Sequence, residues 1–335
     1  MPEKESAELS IIRLLKDAGG ESVSGGDLSR LLGISRTAVW KHVKALRKAG
    51  YVVTACPSKG YSLSFEAKSS PMPFNAIEIN SGLETAFVGK KIFFYPELDS
   101  TNAKAARLAR DGADEGTVVI ADFQSAGKGR IGRKWESPAG VNLYTSIILR
   151  PGIAPFDAQK LTIVMAVAVA EAIEKYCKKR PVVKWPNDIL IASKKVAGIL
   201  MEMDAEADHV NFIVAGIGVN INMNLSEMPP DIRRIATSLS EAFGQEISRI
   251  EFTRTLYSCV EKWYKKFSEN GFPFVLTAWR SFFASEGKRV IVKGFNRTVE
   301  GICAGVDATG ALLLRVDSGK VERIISGDVD HAGGV

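Results

Sequence analysis

Residues 125–135 read SAGKGRIGRKW, and Gly127, Gly129 and Gly132 fall into the spacing G-x-G-x-x-G. What such a run can fold into depends on its flanks. A dinucleotide-binding turn needs a strand before it and a helix after it, so that the helix N-terminus meets the pyrophosphate. A β-patterned segment, 117–123, does precede the run. The residues that follow, Trp135-Glu136-Ser137-Pro138-Ala139-Gly140, cannot open a helix cleanly, and 143–149 is β-patterned again. No G-x-x-x-x-G-K-[ST] occurs either. Both familiar phosphate turns fail on context. What remains is a glycine-rich loop between two strands, carrying Lys128, Arg130, Arg133 and Lys134. Glycines let backbone amides approach an anion closely. The cations would neutralise several negative charges, as on a triphosphate, and Trp135 offers a flat face on which a purine can stack.

The first 65 residues form a different pattern. Leu9, Ile11, Ile12, Leu14 and Leu15 repeat at helical spacing. Ser24-Gly25-Gly26 breaks that helix, Asp27–Leu32 is a short second one, and Gly33-Ile34-Ser35 is a tight turn. Ser35 caps a third helix running to Lys48, with Ala38, Val39, Val43 and Leu46 as its apolar stripe. Two short strands, 51–54 and 61–64, enclose Pro57-Ser58-Lys59-Gly60. Three helices followed by a hairpin predict a winged helix-turn-helix. Arg36 and Thr37 start the third helix, where side chains reach base edges. Lys41, Lys44 and the hairpin-tip Lys59 are placed to meet phosphates. The formal charge of +6 admits nucleic acid or an acidic partner without establishing either.

A length of 335 residues suggests two or three domains. A linker is expected over 66–85, Lys68-Ser69-Ser70-Pro71-Met72-Pro73 followed by a short helical piece, then a mixed α/β domain over 86–284. In that domain Ser100 caps a helix to Arg110 and 157–176 is a long buried helix. Strands are expected at 92–95, 117–123, 143–149, 182–184, 195–203 and 210–221, and helices at 250–269 and 273–284. Short strands at 289–292, 299–304, 311–316 and 321–325 give 285–335 the look of an SH3-like β-barrel. The four cysteines lie far apart without a C-x-x-C, and the three histidines are scattered, which argues against a zinc site or a disulfide framework. The stretch MPEKESAELSIIRLL has no signal-peptide core, and the apolar run 161–173 is shorter than the ~20 residues needed to cross a bilayer.

Two further clusters carry chemistry. Lys184-Trp185-Pro186-Asn187-Asp188 ends a strand against a proline, so that Asn187 and Asp188 project from a strand end. Lys195 opens the apolar strand Lys195-Val196-Ala197-Gly198-Ile199-Leu200, and gains meaning only if it faces the same pocket as the glycine loop.

Together with Asp99-Ser100-Thr101-Asn102, the Gln124–Trp135 loop and Gly216-Ile217-Gly218-Val219-Asn220, these segments resemble the bifunctional bacterial biotin protein ligases that also act as biotin operon repressors. The pieces occur in the family's order, and the resemblance covers nearly the whole chain. It implies an α+β architecture: a winged helix, a mixed α/β ligase domain of class II synthetase-like type and an SH3-like C-terminal domain. It implies that biotin's carboxylate attacks the α-phosphate of ATP, with Mg²⁺ on the phosphates, and that a lysine of the biotin carboxyl carrier protein of acetyl-CoA carboxylase then takes the biotinyl group.

By family position, Lys195, Arg130 and Asp188 are catalytic, with Asp188 orienting or deprotonating the incoming amine. Ser100, Thr101, Asn102, Gln124, Gly127, Lys128, Gly129, Arg130 and Lys195 would hold biotin. Arg130, Arg133, Trp135, Asn187, Lys195 and Asn220 would hold ATP. Arg36, Thr37, Lys41, Lys44 and Lys59 would hold operator DNA, bound by a homodimer that carries biotinyl-5′-AMP. No resident metal and no membrane are implied, and the expected compartment is the cytoplasm. Two departures stand out. Lys128 replaces the family's usual arginine, which keeps the charge but loses a bidentate fork, and Ile131 stands where some members have another arginine. The alternatives are a lipoate-protein ligase-like adenylating enzyme and a catalytically inactive biotin-sensing repressor.

Overall fold

The computed structural model describes residues 6–64, 72–294 and 297–331. The 66–71 part of the expected linker and the last four residues of the expected C-terminal domain lie outside the described residues. The chain divides into two units, Met1–Leu83 and Glu84–Val335.

The first unit comprises α1 (Ala7–Asp17), α2 (Gly25–Leu32), α3 (Arg36–Lys48), β1 (Val53–Cys56), β2 (Gly60–Leu63) and α4 (Ala76–Ser81). Each of the first three helices starts on a serine, Ser6, Ser24 and Ser35, whose side chain accepts a backbone N–H of the first turn. Gly33 closes α2 in the left-handed region, at φ 65°, which makes the sharp corner into α3. Ile11, Ile12, Leu15, Leu28, Val39, Val43 and Leu46 share one buried core with Tyr51, Val53 and Leu63 of the hairpin. Each such side chain contributes about 1.5–3 kcal/mol by leaving water. Residues 76–81, which the sequence reading assigns to the linker as its short helical piece, form α4 and are tied into this unit. Glu78 accepts from Lys16 Nζ at 2.6 Å and Tyr51 Oη at 3.0 Å.

The second unit is built on a seven-stranded sheet. Its strands are β3 (Ile92–Leu98), β4 (Val118–Gln124), β5 (Leu143–Leu149), β6 (Val182–Lys184), β7 (Asp188–Ile191), β8 (Lys194–Ala205) and β9 (Val210–Val219). Their order is β3-β4-β5-β9-β8-β7-β6, parallel only between β3 and β4. Side chains alternate between faces along a strand. Ser146 of β5 bonds to α5 (Thr101–Arg110), whereas its neighbour Thr145 bonds to Tyr257. One face thus carries α5 and the other carries α6 (Ala158–Cys177) and, behind it, the helix containing Tyr257. α6 is apolar nearly all round because it lies between the sheet and that helix.

Two short helices, α7 (Pro230–Ile235) and α8 (Leu239–Phe243), interrupt a stretch for which the sequence offers no periodic signal. They precede α9 (Arg249–Asn270) and α10 (Phe272–Arg280). α10 ends four residues before the sequence-based boundary. The C-terminal strands, β10 (Arg289–Lys293), β11 (Thr298–Val306), β12 (Leu312–Arg315), β13 (Val321–Ile324) and β14 (Asp328–His331), form one antiparallel sheet in the order β13-β12-β11-β10-β14. β14 is too short and too charged to announce itself in the sequence. Trp185 Nε1 donates to Gly310 O at 2.9 Å and so ties this sheet to the larger one.

Candidate active site

The cleft lies over the α5 face of the large sheet, and its floor is made by absent side chains. Gly198 and Gly218 are register partners on β8 and β9, as are Leu200 and Gly216. A Cβ on Gly218 would meet the Trp135 indole at 2.7 Å, one on Gly198 would meet it at 2.8 Å, and one on Gly216 would collide with Asn102 Oδ1. The alternating glycines of Gly216-Ile217-Gly218 therefore let an indole and an amide lie directly on the backbone.

One wall is a closed polar network at the start of α5. Gln124 Oε1 accepts from Thr101 N at 2.9 Å and from Thr101 Oγ1 at 3.1 Å, and Gln124 Nε2 donates to Ser137 Oγ at 3.1 Å. Ser146 Oγ donates to Asn102 Oδ1 at 2.6 Å, and Asn102 Nδ2 donates to Leu200 O at 3.3 Å. Ser100 caps α5 through Ala103 N, at 3.5 Å, and also lines the cleft. Such buried groups are costly to leave unpaired, so this wall is rigid before any ligand arrives.

The glycine loop forms the opposite wall. Trp135 N donates to Gly127 O at 2.9 Å and Gly129 N to Arg133 O at 2.7 Å. Between them a single 3₁₀ turn, Arg130–Gly132, puts Ile131 at φ 55° and ψ 43°. A β-branched residue in that left-handed region costs roughly 1–3 kcal/mol. Arg130 donates to Asn187 Oδ1 at 3.0 Å and to Gly327 O at 3.2 Å. Asn187 is held in turn by Nδ2, which donates to Ile199 O at 2.9 Å. Burial pulls the Arg130 guanidinium below its ordinary value, while Asp328 and Asp188 oppose the shift.

Lys195 Nζ stands 2.7 Å from Asp188 Oδ1 and 5.0 Å from the centre of the Trp135 ring. Asp188 is the first residue of β7, in a hairpin with β6, where the sequence reading expects only a strand end. The ion-pair geometry is not that of a hydrogen bond. Among the described residues, Asp188 Oδ1 and Trp135 Nε1 are both buried polar atoms of the site without a hydrogen-bond partner. Both fit a site that completes its bonding with a ligand.

Ser100, Thr101, Asn102, Gln124, Lys128, Gly129, Arg130, Trp135, Asn187 and Lys195 all line this one cleft. Gly127 supports the loop from behind, its Cα packed against Trp135 O and Ser137. Asp188 does not line the cleft itself but meets it through Lys195. Two other predicted residues are turned elsewhere. Arg133 is paired with Asp328 Oδ2 at 2.5 Å, and Asn220 is buried with Nδ2 donating to Thr237 O at 3.0 Å. The cleft also takes in Tyr144, Ile199 and Leu200, which sequence reasoning missed. The only signal available for them was the alternating-glycine pattern of the neighbouring strands. Burial pushes the Tyr144 hydroxyl well up, so it acts as a hydrogen-bonding group, accepting from Asn142 Nδ2 and donating to Pro138 O, both at 3.0 Å.

In the first unit Arg36, Thr37, Lys41 and Lys44 are exposed on α3, and Lys59 is exposed at the hairpin tip. The Arg36 guanidinium leans back against Gly26 of α2. Trp40, half exposed on the same helix, sits under Lys44 Nζ at 5.5 Å; the sequence reading passed over it.

Comparison with known proteins sets the class first. Residues 95–220 match the model of the biotin/lipoate A/B protein ligase family, residues 8–62 an HTH domain, and residues 287–332 the biotin protein ligase C-terminal domain. The bifunctional ligase/repressor BirA of Bacillus subtilis (strain 168) is 40% identical over 320 residues, 96% of this chain and 97% of that protein. Its namesake in Escherichia coli (strain K12) is 34% identical over 327 residues, 96% of each. The structure of biotin protein ligase from Aquifex aeolicus in complex with biotin and ATP superimposes with a TM-score of 0.63 at 31% identity, covering 72% of this chain and 98% of that one. The chain belongs to the biotin protein ligase family, in its bifunctional ligase/repressor form.

Proposed function

We propose that the chain activates biotin with ATP to biotinyl-5′-AMP, transfers biotin to a lysine of the carboxyl carrier protein of acetyl-CoA carboxylase and, as an adenylate-bound dimer in the cytoplasm, represses biotin genes. The observation that carries this reading is the convergence of Lys128, Arg130 and Lys195 on one cleft that also holds the Ser100–Asn102 wall and the Trp135 indole.

Two anions, a carboxylate and a triphosphate, repel each other until cations stand between them. Arg130 and Lys195, which both line the cleft, would do this, and their worth rises as charge builds on the oxygens around the α-phosphorus. The carboxylate oxygen forms the new P–O bond as pyrophosphate leaves with its electron pair. In the second step an acceptor amine attacks the acyl carbon and AMP departs. Asp188, whose Oδ1 is ion-paired with Lys195 at 2.7 Å, would orient that amine or take its proton once Lys195 turns to the reacting oxygens. Thr101, Gln124 and Ser100 supply polar contacts to the ureido ring, and Trp135 a stacking surface for adenine. Mg²⁺ would accompany the nucleotide, held mainly by its phosphates and screening their charge. No helix among the described residues is long and apolar enough to cross a membrane.

The test is ATP–pyrophosphate exchange, run with biotin, with lipoate and with neither, followed by labelling of a carrier domain. Exchange stimulated by biotin alone is expected. Stimulation by lipoate alone would point to a lipoate ligase, and no exchange with either would leave a sensor without activity. A gel shift on the chain's own biotin-gene promoter, with and without biotinyl-AMP, tests the repressor half.

A further inference from the structure

The third helix of the first unit, α3, reads RTAVWKHVKALRK and carries five cations and no acid. Val39, Val43 and Leu46 turn into the core. Two polar side chains are spent on the unit itself: Arg47 Nε donates to Val53 O at 2.7 Å, and His42 Nδ1 lies 2.8 Å from Glu8 Oε1. The outward face presents Arg36, Thr37, Trp40, Lys41, Lys44 and Lys48, all exposed. Trp40 is the anomaly among them. Its large apolar side chain stands half in water, at 50% exposure, and is not among the residues packed around the core. Residues four apart on a helix are neighbours, so Trp40 sits in one row between Arg36 and Lys44. Lys44 Nζ lies 5.5 Å from the centre of its ring.

A single exposed apolar side chain needs no explanation; a tryptophan set among cations on the third helix of a helix-turn-helix does. The cores of protein–protein interfaces are depleted in lysine, whereas Trp40 has a cation on either side of it in its row. Cations with an apolar group between them match a nucleic-acid groove, where phosphates border a floor of base edges. The major groove offers one apolar group on that floor, the C5-methyl of thymine. We infer that Trp40 is a specificity-determining residue of the DNA-binding unit: its indole packs on a thymine methyl, while Lys44, held over the ring, goes to a phosphate beside it. This rests on the first unit being the operator-binding part of a repressor. Sequence readout then extends one turn into α3, past Arg36 and Thr37 at its start.

The test is a mutant cycle between protein and DNA, run by fluorescence anisotropy on the full chain with biotin and ATP. One duplex carries the chain's own biotin-gene promoter. Its twin has deoxyuridine for thymidine, which removes the methyls and keeps the pairing. The native chain should bind the deoxyuridine duplex about 3- to 10-fold more weakly, the scale of burying one methyl against an aromatic face. Trp40→Ala should bind the thymine duplex more weakly by a similar factor and no longer distinguish the two. Trp40→Phe should keep part of the preference. Trp40 is the one tryptophan in residues 1–83, so the emission difference between the native chain and Trp40→Phe reports this indole. Its quenching on the thymine duplex serves even if Trp40→Ala fails to fold. Equal native affinity for the two duplexes would overturn the inference, as would Trp40 emission that DNA leaves unaltered. So would an unchanged thymine preference in Trp40→Ala, because the indole would then act only through Lys44. A native chain with no preference for its promoter over a scrambled duplex would sink the repressor reading. On that scrambled duplex a thymine preference lost in Trp40→Ala would still uphold the indole's contact, and its absence would overturn it.

Discussion

Lys195 Nζ and Asp188 Oδ1 lie 2.7 Å apart across two adjacent strands, and both side chains are about three-quarters buried. The carboxylate parks the ammonium beside Trp135 until an anion competes for it. In the proposed reaction Lys195 supplies the charge that follows the reacting oxygens, and Lys195→Ala removes it. Biotin-dependent ATP–pyrophosphate exchange is expected to fall by about 10²–10³-fold, as for loss of one preorganised charge donor. The far-UV circular dichroism should not change, because Lys195 makes its backbone bond to Thr237 N through its own carbonyl. Exchange within threefold of native would remove Lys195 from the reaction.

Gly218 has an ordinary β conformation, so its need for hydrogen is steric. Gly218→Ala puts a methyl where the Trp135 indole now lies, 2.7 Å away. The indole must lift off the sheet. KM for ATP should rise on the order of tenfold, the equivalent of about 1.4 kcal/mol, with a red-shifted tryptophan emission. Unchanged emission would mean that Trp135 does not rest on Gly218 in solution.

For the first unit, the prediction concerns salt. Lys41→Ala and Lys44→Ala should each weaken binding to operator and non-operator DNA alike. Each should also reduce the slope of log K against log salt by about 1. Arg36→Ala should instead relax discrimination between sequences. Fluorescence anisotropy over a salt series separates these outcomes, and a Lys44→Ala slope equal to native would place that lysine off the DNA.

Acid stability should depend on Glu171 of α6. Burial tends to raise its carboxyl, but hydrogen bonds from Lys175, Lys262 and Trp263 outweigh this and hold it at about 2. A carboxyl whose folded value lies below its unfolded one stabilises the fold above the unfolded value, near 4.5. That stabilisation is lost as pH falls from there through about 2. Glu171→Gln should therefore lower Tm at neutral pH and flatten its decline across this acid window, as read by calorimetry at stepped pH. Parallel Tm profiles for the two proteins would mean the carboxyl is not held low.

Some of this molecule was fixed by local chemistry alone. Serines at helix starts, Gly33 at its corner and an apolar stripe every three or four residues specify the winged helix, because capping and amphipathicity act within a few residues. The ligase segments were legible for a similar reason. Asp99–Asn102, the glycine loop and Lys184–Asp188 each keep their chemistry within a short run, and Ser100 announces α5 by capping it. What the sequence could not supply was distance through space. That Gly198 and Gly218 are partners follows from the register of β8 with β9, and that Arg133 turns to Asp328 rather than into the cleft follows from where the C-terminal sheet docks. Asn220 is spent on Thr237 O, a partner 17 residues away that no spacing rule announces. β7, β14, α7 and α8 are short elements whose formation depends on neighbours contributed by distant segments. A site made of charges from separated strands exists only once hydrophobic burial has set the strand order, and that order is a property of the packed chain as a whole.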